Sequence, residues 1–238
     1  MARAVFPGFS DEALAFFRRL ARNNKREWFQ PRKTVFDEKV KAPMLELVAA
    51  LNADMAKFAP LHVTEPAASL YRIYRDTRFS KDKKPYKTHQ AAYFPRRGLD
   101  RNRGSGYYFA VSHESVAVGG GMYMPLPDVL LAVRNRLADR HAEFRKIVQS
   151  KTLKNLFGEM EGEQLSRVPK GFAADHPAAD LLRYKQFFFY IELPPELATS
   201  NKVAGEIRKR FEALTPLVDF LNAPITEAQP KAKPRVFF

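Results

Sequence analysis

From Asp11 to Phe58 the apolar positions recur every three or four residues. Leu14, Phe17 and Leu20 share one face, and Val35, Phe36, Val40, Met44, Leu47, Val48, Leu51 and Met55 carry the period onward. This spacing predicts helices. Ser10 stands at a cap position, and Asp11 and Glu12 follow where the positive helix end favours acid. Asn24 with Glu27 has the spacing of a capping box for a second helix, which carries Trp28 and Phe29. Pro31 limits the first part of that helix. Pro43 either kinks the remainder or opens a new helix at its first turn. Trp28 is expected to bury its ring.

The middle of the chain changes period. Leu70–Phe79 alternates as a strand does, with Tyr71, Ile73, Arg75, Thr77 and Phe79 on one face and Arg72, Tyr74, Asp76 and Arg78 on the other. Thr88–Phe94 reads as a further strand. Gly106–Val111 and Ser115–Val118 read as a hairpin turning at His113-Glu114. Gly119–Gly121 then interrupt the pattern, and a bulge is expected there in preference to a close approach of ligand or backbone. The connections are too short for crossover helices, so the pairing is antiparallel. Helices resume over about 128–138 and 139–149. The run FFFYIEL at 187–193 suits a buried strand that Pro194 and Pro195 end. Ser200 caps a last helix reaching about Leu221. The fold class is therefore α+β, a mostly antiparallel central sheet flanked by N-terminal, middle and C-terminal helices. A single domain over 8–222 and a flexible, basic, Pro-rich tail over 223–238 are expected.

Composition narrows the chemistry. Twenty phenylalanines among 238 residues make aromatic packing the main material of the core. The chain has no cysteine, which excludes disulfides, thiolate metal sites and Cys nucleophiles. No run of 18 apolar residues occurs and the N-terminus has no signal-peptide character, so a cytoplasmic protein without a membrane span is expected. The histidines share no ligand spacing, no HExxH or GxSxG is present, and the three glycines are not followed by Gly-Lys-Ser/Thr. No metal or cofactor is expected.

The formal net charge is +14, and its distribution matters more than its size. From Tyr71 to Arg103 eleven Lys and Arg face three Asp, a net of +8 in about a seventh of the chain. Arg captures phosphate or carboxylate in bidentate fashion, and Arg72 and Arg78 bracket Asp76 on one predicted face. Asp76 can orient them. Arg75, on the apolar face, requires a carboxylate partner or a place at the sheet edge. Lys83 and Lys87 extend the cation group through a turn-forming loop, with Tyr74 and Tyr86 as stacking or hydrogen-bonding groups. His89 follows that loop, and nearby positive charge would hold its imidazole neutral and basic.

The segments NNKREWF at 23–29, RIYRDTRFSKDKKPYKTH at 72–89, GGGMYMP at 119–125 and PKGFAADHP at 169–177 resemble one family along nearly the whole chain, from about Gly8 to Asn222. It is the conserved hypothetical family called domain of unknown function 2461. The resemblance implies a single domain ending near Asn222 and brings no activity, cofactor or substrate. The positions that match its core pattern are Arg72, Arg75, Asp76, Arg78, Phe79, Asp82, Lys83, Pro85, Tyr86 and Lys87. The pattern often has a small or hydroxyl residue where this chain has Lys84, which makes Lys84 the most dispensable cation of the group.

Three readings follow. In the leading one the protein binds a phosphate-bearing small molecule or a nucleic acid backbone. Arg72, Arg75, Arg78, Lys83, Tyr86 and Lys87 contact the anion there. In the second it is an enzyme acting on a phosphorylated small molecule, with His89 and Asp76 as the catalytic groups. In the third the charges pair internally and function lies on another surface. No oligomeric state can be read from the sequence.

Overall fold

Helix α1, Asp11–Arg22, begins where the Ser10 side chain accepts a hydrogen bond from the Ala13 amide, as the cap signal predicts. The computed structural model describes residues 6–227. After α1 the chain stays helical in a broken line to Phe58. It runs through α2 (Arg26–Phe29), a 3-10 turn holding Pro31, α3 (Lys33–Phe36), a π-helical turn at Asp37–Lys41 and α4 (Ala42–Phe58). Pro43 lies in the first turn of α4, where its missing N–H costs little; its ring crowds the preceding turn, and the helix widens just ahead of it. The expected capping box does not form. Lys25 occupies the cap position of α2 without a side-chain bond, and Asn24 is used elsewhere.

Further helices follow, the short α5 (Pro66–Ser69) before the sheet, then the long α6 (Pro127–Val148), α7 (Lys151–Phe157), α8 (Ala179–Leu182) and the long α9 (Val203–Glu227). The two helices expected over 128–138 and 139–149 run together as α6, with a kink between them at Arg140, whose φ of -127° and ψ of 32° leave helical geometry. Helix α9 passes Pro216 and Pro224 and ends five residues beyond Asn222, so the first part of the expected tail is helical. The remainder of that tail, 228–238, lies outside the described residues.

Four strands form one antiparallel sheet in chain order: β1 (His89–Phe94), β2 (Gly106–Ser112), β3 (Val116–Met122) and β4 (Phe187–Leu193). The α+β architecture is the one the periodicity predicts. The bulge at Gly119–Gly121 is not there. All three glycines pair in unbroken register, Gly119 with Tyr108 and Tyr190, Gly120 with Tyr107 and Phe189, Gly121 with Gly106 and Phe188. Glycine is needed because the neighbours come so close. A Cβ on Gly121 would lie 2.2 Å from the Phe187 carbonyl oxygen, and its φ is 128°.

Alternate residues point to opposite faces of the sheet. One face carries Phe94, Tyr107, Phe109, Val111, Val116, Val118, Phe187 and Phe189, all buried under the helices. Helix α9 supplies Phe211, Leu214, Leu217 and Leu221 to this core, and Phe211 meets Phe94 edge-on. Such aromatic contacts fulfil the expectation drawn from the phenylalanine count. Among the described residues the other face is packed by tyrosines from the arm and the sheet itself, Tyr71, Tyr108 and Tyr190, and this leaves room for the site described below.

Three asparagines join segments that secondary structure leaves apart. Asn24 bonds both the N–H and the C=O of Tyr86, Asn52 those of Thr64, and Asn222 those of Ser105. Each amide stands in for a strand partner at a point where no strand runs.

The predicted strand Leu70–Phe79 is absent. Residues 71–87 leave the sheet as an arm that folds back on itself, with only isolated bridges at Leu70↔Ala92 and Tyr74↔Tyr86. A few backbone bonds hold it, Tyr71 N–H to the Ala91 carbonyl, Arg75 N–H to that of Pro85 and Lys87 N–H to that of Ile73, and side chains add to them: Gln90 donates to the Tyr71 carbonyl and Asn24 holds both polar groups of Tyr86. The alternation itself survives in burial, since Tyr71, Ile73, Arg75 and Thr77 are sheltered while Arg72, Tyr74, Asp76 and Arg78 are exposed. It fails at Phe79, which is 94% exposed.

One buried histidine makes stability depend on pH. His62 sits edge-on to Tyr107, its Nδ1 3.1 Å from the Phe94 carbonyl oxygen and its Nε2 buried without a partner. Burial, aided by Arg96, pushes its pKa down to about 4. The folded form thus resists a proton that the unfolded chain accepts near the ordinary value of 6.5. Stability is complete above that value and is lost as pH falls through 6.5 towards 4, by about 2–3 kcal/mol. Urea unfolding across this window should show the loss in the parent and a smaller one in His62→Gln. Equal slopes would remove His62 as the cause.

Candidate functional site

The uncovered face of the sheet has a simple arrangement. One cross-strand row is Tyr93, Tyr108, Gly119, Tyr190. On one side of it lies Gly106, Gly121, Phe188, and on the other Ala91, Ala110, Ala117, Glu192. Small residues at the centre and tyrosines around them leave a trough. Tyr71 from the root of the arm, Arg101 and Asn102 from the β1–β2 connection, and Tyr123 beyond β3 raise its walls. The result is a cavity of about 590 Å³, a size that suits a small organic ligand. Glycine makes the floor, since a side chain at 119 or 121 would meet a backbone carbonyl of β4.

The hydroxyls of Tyr93, Tyr108 and Tyr190 are neutral. Burial pushes the pKa of Tyr108 up to about 12 and raises those of Tyr93 and Tyr190 as well. Tyr93 donates to the Gly104 carbonyl at 3.3 Å and Tyr190 to Glu192 at 2.9 Å. Flat rings with O–H groups at their edges can hold a planar ligand by stacking and orient it by hydrogen bonds.

Positive charge gathers at one edge. The Arg101 guanidinium lies 4.4 Å from the Tyr71 ring centre and 5.6 Å from that of Tyr93, and one of its nitrogens donates to the Ala68 carbonyl. Lys87 Nζ lies 4.9 Å from the same Tyr71 ring. Arg72 is close enough to act on Lys87, whose pKa is lowered by burial and then by the charges of Arg72 and Arg101. Among the described residues none of these three cations has a carboxylate within ion-pair distance. Arg101 and Lys87 meet at one ring with Arg72 acting on Lys87; these like charges repel each other, and an anion placed among them would relieve that repulsion.

The arm's other cations are held differently. Arg75 bonds Asp82 at 2.6 Å and the Lys84 carbonyl, Arg78 grips both oxygens of Asp76, and Lys83 donates to the Thr77 carbonyl. Arg75 thereby gains the carboxylate that its sheltered position requires. The Asp82 carboxyl sits below its usual range through the Lys84 amide first and Arg75 second, that of Asp76 through Arg78. Arg75, Arg78 and Lys83 shape the tip of the arm and line no part of the cavity. Tyr86 is buried with its ring stacked on Phe29 at 4.2 Å, so it seats the arm on α2 and faces no ligand.

The acid–base pairing drawn from the sequence does not assemble. His89 is on the uncovered face, but four residues along β1 from Tyr93, about 13 Å at strand spacing, and Asp76 is on the exposed side of the arm, bound to Arg78. Burial and then Lys87 lower the His89 pKa, so the imidazole is neutral as expected, but it does not face the cavity.

Of the residues singled out from the sequence, Lys87 reaches the Tyr71 wall from outside and Arg72 is near enough to act on Lys87, but neither lines the cavity itself. Sequence reading missed Tyr71 as a cavity wall, and also Tyr93, Arg101, Tyr108 and Tyr190. Part of a signal was available: the uncovered-face positions 91, 93, 106, 108, 110, 117, 119 and 121 are all alanine, glycine or tyrosine, but Ala92, Tyr107 and Gly120 on the core face blur the alternation.

The family model described as "Conserved hypothetical protein (DUF2461)" matches residues 12–220, most of the chain. No curated protein and no solved structure matches it.

Proposed function

The chain belongs to the conserved hypothetical protein family DUF2461, and on that premise we propose that it binds a ligand joining a flat ring system to a phosphate, a nucleotide being the class that fits. The observation that carries this reading is the meeting of two complementary surfaces. A tyrosine-walled trough has Arg101 in its wall and Lys87 and Arg72 behind, three cations that have no carboxylate among the described residues. The ring system enters over the Gly119 and Gly121 floor, between Tyr108 and Tyr190. Its phosphate lies against Arg101, with Lys87 and Arg72 behind. The neutral Tyr108 hydroxyl supplies a polar contact to the ring. Binding without chemistry is the simpler reading, because the cavity wall holds neutral phenols and a guanidinium and, among the described residues, no carboxylate or imidazole.

Titration calorimetry with AMP, GMP, CMP and dTMP, their nucleosides and inorganic phosphate tests this reading. At least one nucleotide should bind more tightly than both its nucleoside and phosphate. Arg101→Ala should weaken that nucleotide by about 1.5–3 kcal/mol, the range for a hydrogen bond to a charged group, and leave the nucleoside nearly unchanged. A folded Arg101→Ala protein with parental nucleotide affinity would sink the proposal.

A further inference from the structure

The arm raises a separate question. Over residues 72–87 seven cations stand against two carboxylates, and both carboxylates are taken, Asp82 by Arg75 and Asp76 by Arg78. Among the described residues Arg72, Lys81, Lys84 and Lys87 have no carboxylate partner. Phe79 stands nearly wholly in water at the tip, 94% exposed, with the Arg78 guanidinium 5.7 Å from its ring centre. The outer side of the arm thus presents Arg72, Tyr74, Arg78 and Phe79 in sequence, cations interleaved with rings, and the lysines follow. This outer side starts at the cavity's edge, because Arg72 adjoins Tyr71.

We propose that the arm is a docking surface for single-stranded nucleic acid, with Phe79 stacking on a base and the free cations neutralising phosphates. It extends the nucleotide reading above and shares with it only Arg72 and Lys87. The charge fits a polyanion, and the alternation of ring and cation fits a strand whose bases and phosphates alternate. A duplex keeps its bases stacked inside and offers Phe79 no face. A lipid surface fits less well. Insertion into a bilayer interface calls for a broad apolar face, whereas the tip from 75 to 85 carries one large apolar side chain between two carboxylates.

The test uses the full chain and a fluorescein-labelled oligothymidylate of about twelve nucleotides, within the span that single-strand binders cover. Anisotropy should show it binding at least about tenfold tighter than dTMP competes, with log affinity falling linearly against log salt. Phe79→Ala, and separately the double variant Lys81→Ala/Lys84→Ala, should each weaken the oligonucleotide about tenfold and leave dTMP affinity unchanged; Phe79→Trp should retain it. An oligonucleotide that binds no tighter than dTMP, or one indifferent to Phe79→Ala, overturns the inference and leaves the cavity reading intact. Phosphatidylserine vesicles captured through Phe79 while the oligonucleotide is ignored would overturn it in favour of a membrane surface. Oligonucleotide binding that needs Phe79 while none of AMP, GMP, CMP and dTMP binds would sustain the arm and sink the cavity.

Discussion

Asn222→Ala is expected to lower the unfolding free energy by about 3–5 kcal/mol, because it leaves two buried backbone groups unpaired at once. Asn222 is 1% exposed and Ser105 is fully buried. The Asn222 amide oxygen accepts from the Ser105 N–H at 2.8 Å, and its nitrogen donates to the Ser105 carbonyl at 3.1 Å. No water can replace either contact without entering the packing between α9 and the β1–β2 connection. Asn222→Asp is a useful companion. Its carboxylate can still accept from the N–H, but it sets a second oxygen against the Ser105 carbonyl. The aspartate variant should therefore be destabilised as well, and should recover part of the loss at pH values where the carboxyl is protonated. Urea midpoints at constant m-value measure both. A loss below about 1 kcal/mol for Asn222→Ala would mean that the pair is solvated or dispensable.

Gly121→Ala should cost about as much, roughly 3–5 kcal/mol, by a different route. The new methyl meets the Phe187 carbonyl oxygen at 2.2 Å and the Phe188 Cα at 2.7 Å, both backbone, so no side chain can swing away. The φ of 128° is one that an L side chain rarely adopts. Relief requires β3 and β4 to separate or twist, which would disturb the row Gly106, Gly121, Phe188 on the cavity floor. Gly158→Ala is the matched control: it also has positive φ, 86°, but its Cβ would meet nothing within 4 Å. It should cost about 1 kcal/mol, since only the backbone preference is violated. Equal losses at both positions would show that conformation, and not the close approach of β4, makes glycine necessary at 121.

Much of the fold was legible because it rests on local signals. Ser10, the period through α1 and α4, the hairpin at His113-Glu114 and the run 187–193 each carry their own instructions. The arm was half legible. The two-residue alternation of Tyr71 to Arg78 predicts which side chains are sheltered, and the structure agrees through Arg78. It cannot predict hydrogen bonding, because the partner at Tyr86 is supplied by Asn24, 62 positions away. Arg75 needed a carboxylate by its position, but nothing local says that Asp82, across the tip, provides it. The cavity was least legible. Its tyrosines are scattered over three strands, the arm and the end of β3 and become neighbours only in the assembled sheet, and Gly119–Gly121 look like an interruption until two strands are laid beside them. Arg101 sits in a connection whose course no period describes.

The three asparagine links span very different lengths of chain: 12 positions for Asn52 to Thr64, 62 for Asn24 to Tyr86 and 117 for Asn222 to Ser105. Closing the longest loop costs about 2 kcal/mol more than closing the shortest, so the links should form in that order. Synthesis imposes the same order. The first two links and strands β1 to β3 can assemble while the ribosome is still working. β4 and α9 arrive afterwards, and until they do Phe109 and Val118 have no lid. A nascent or truncated chain that stops before Val203 therefore presents the apolar face of a three- or four-stranded sheet to its surroundings. That interval, more than anything in the finished molecule, is when this protein is expected to aggregate or to need a chaperone.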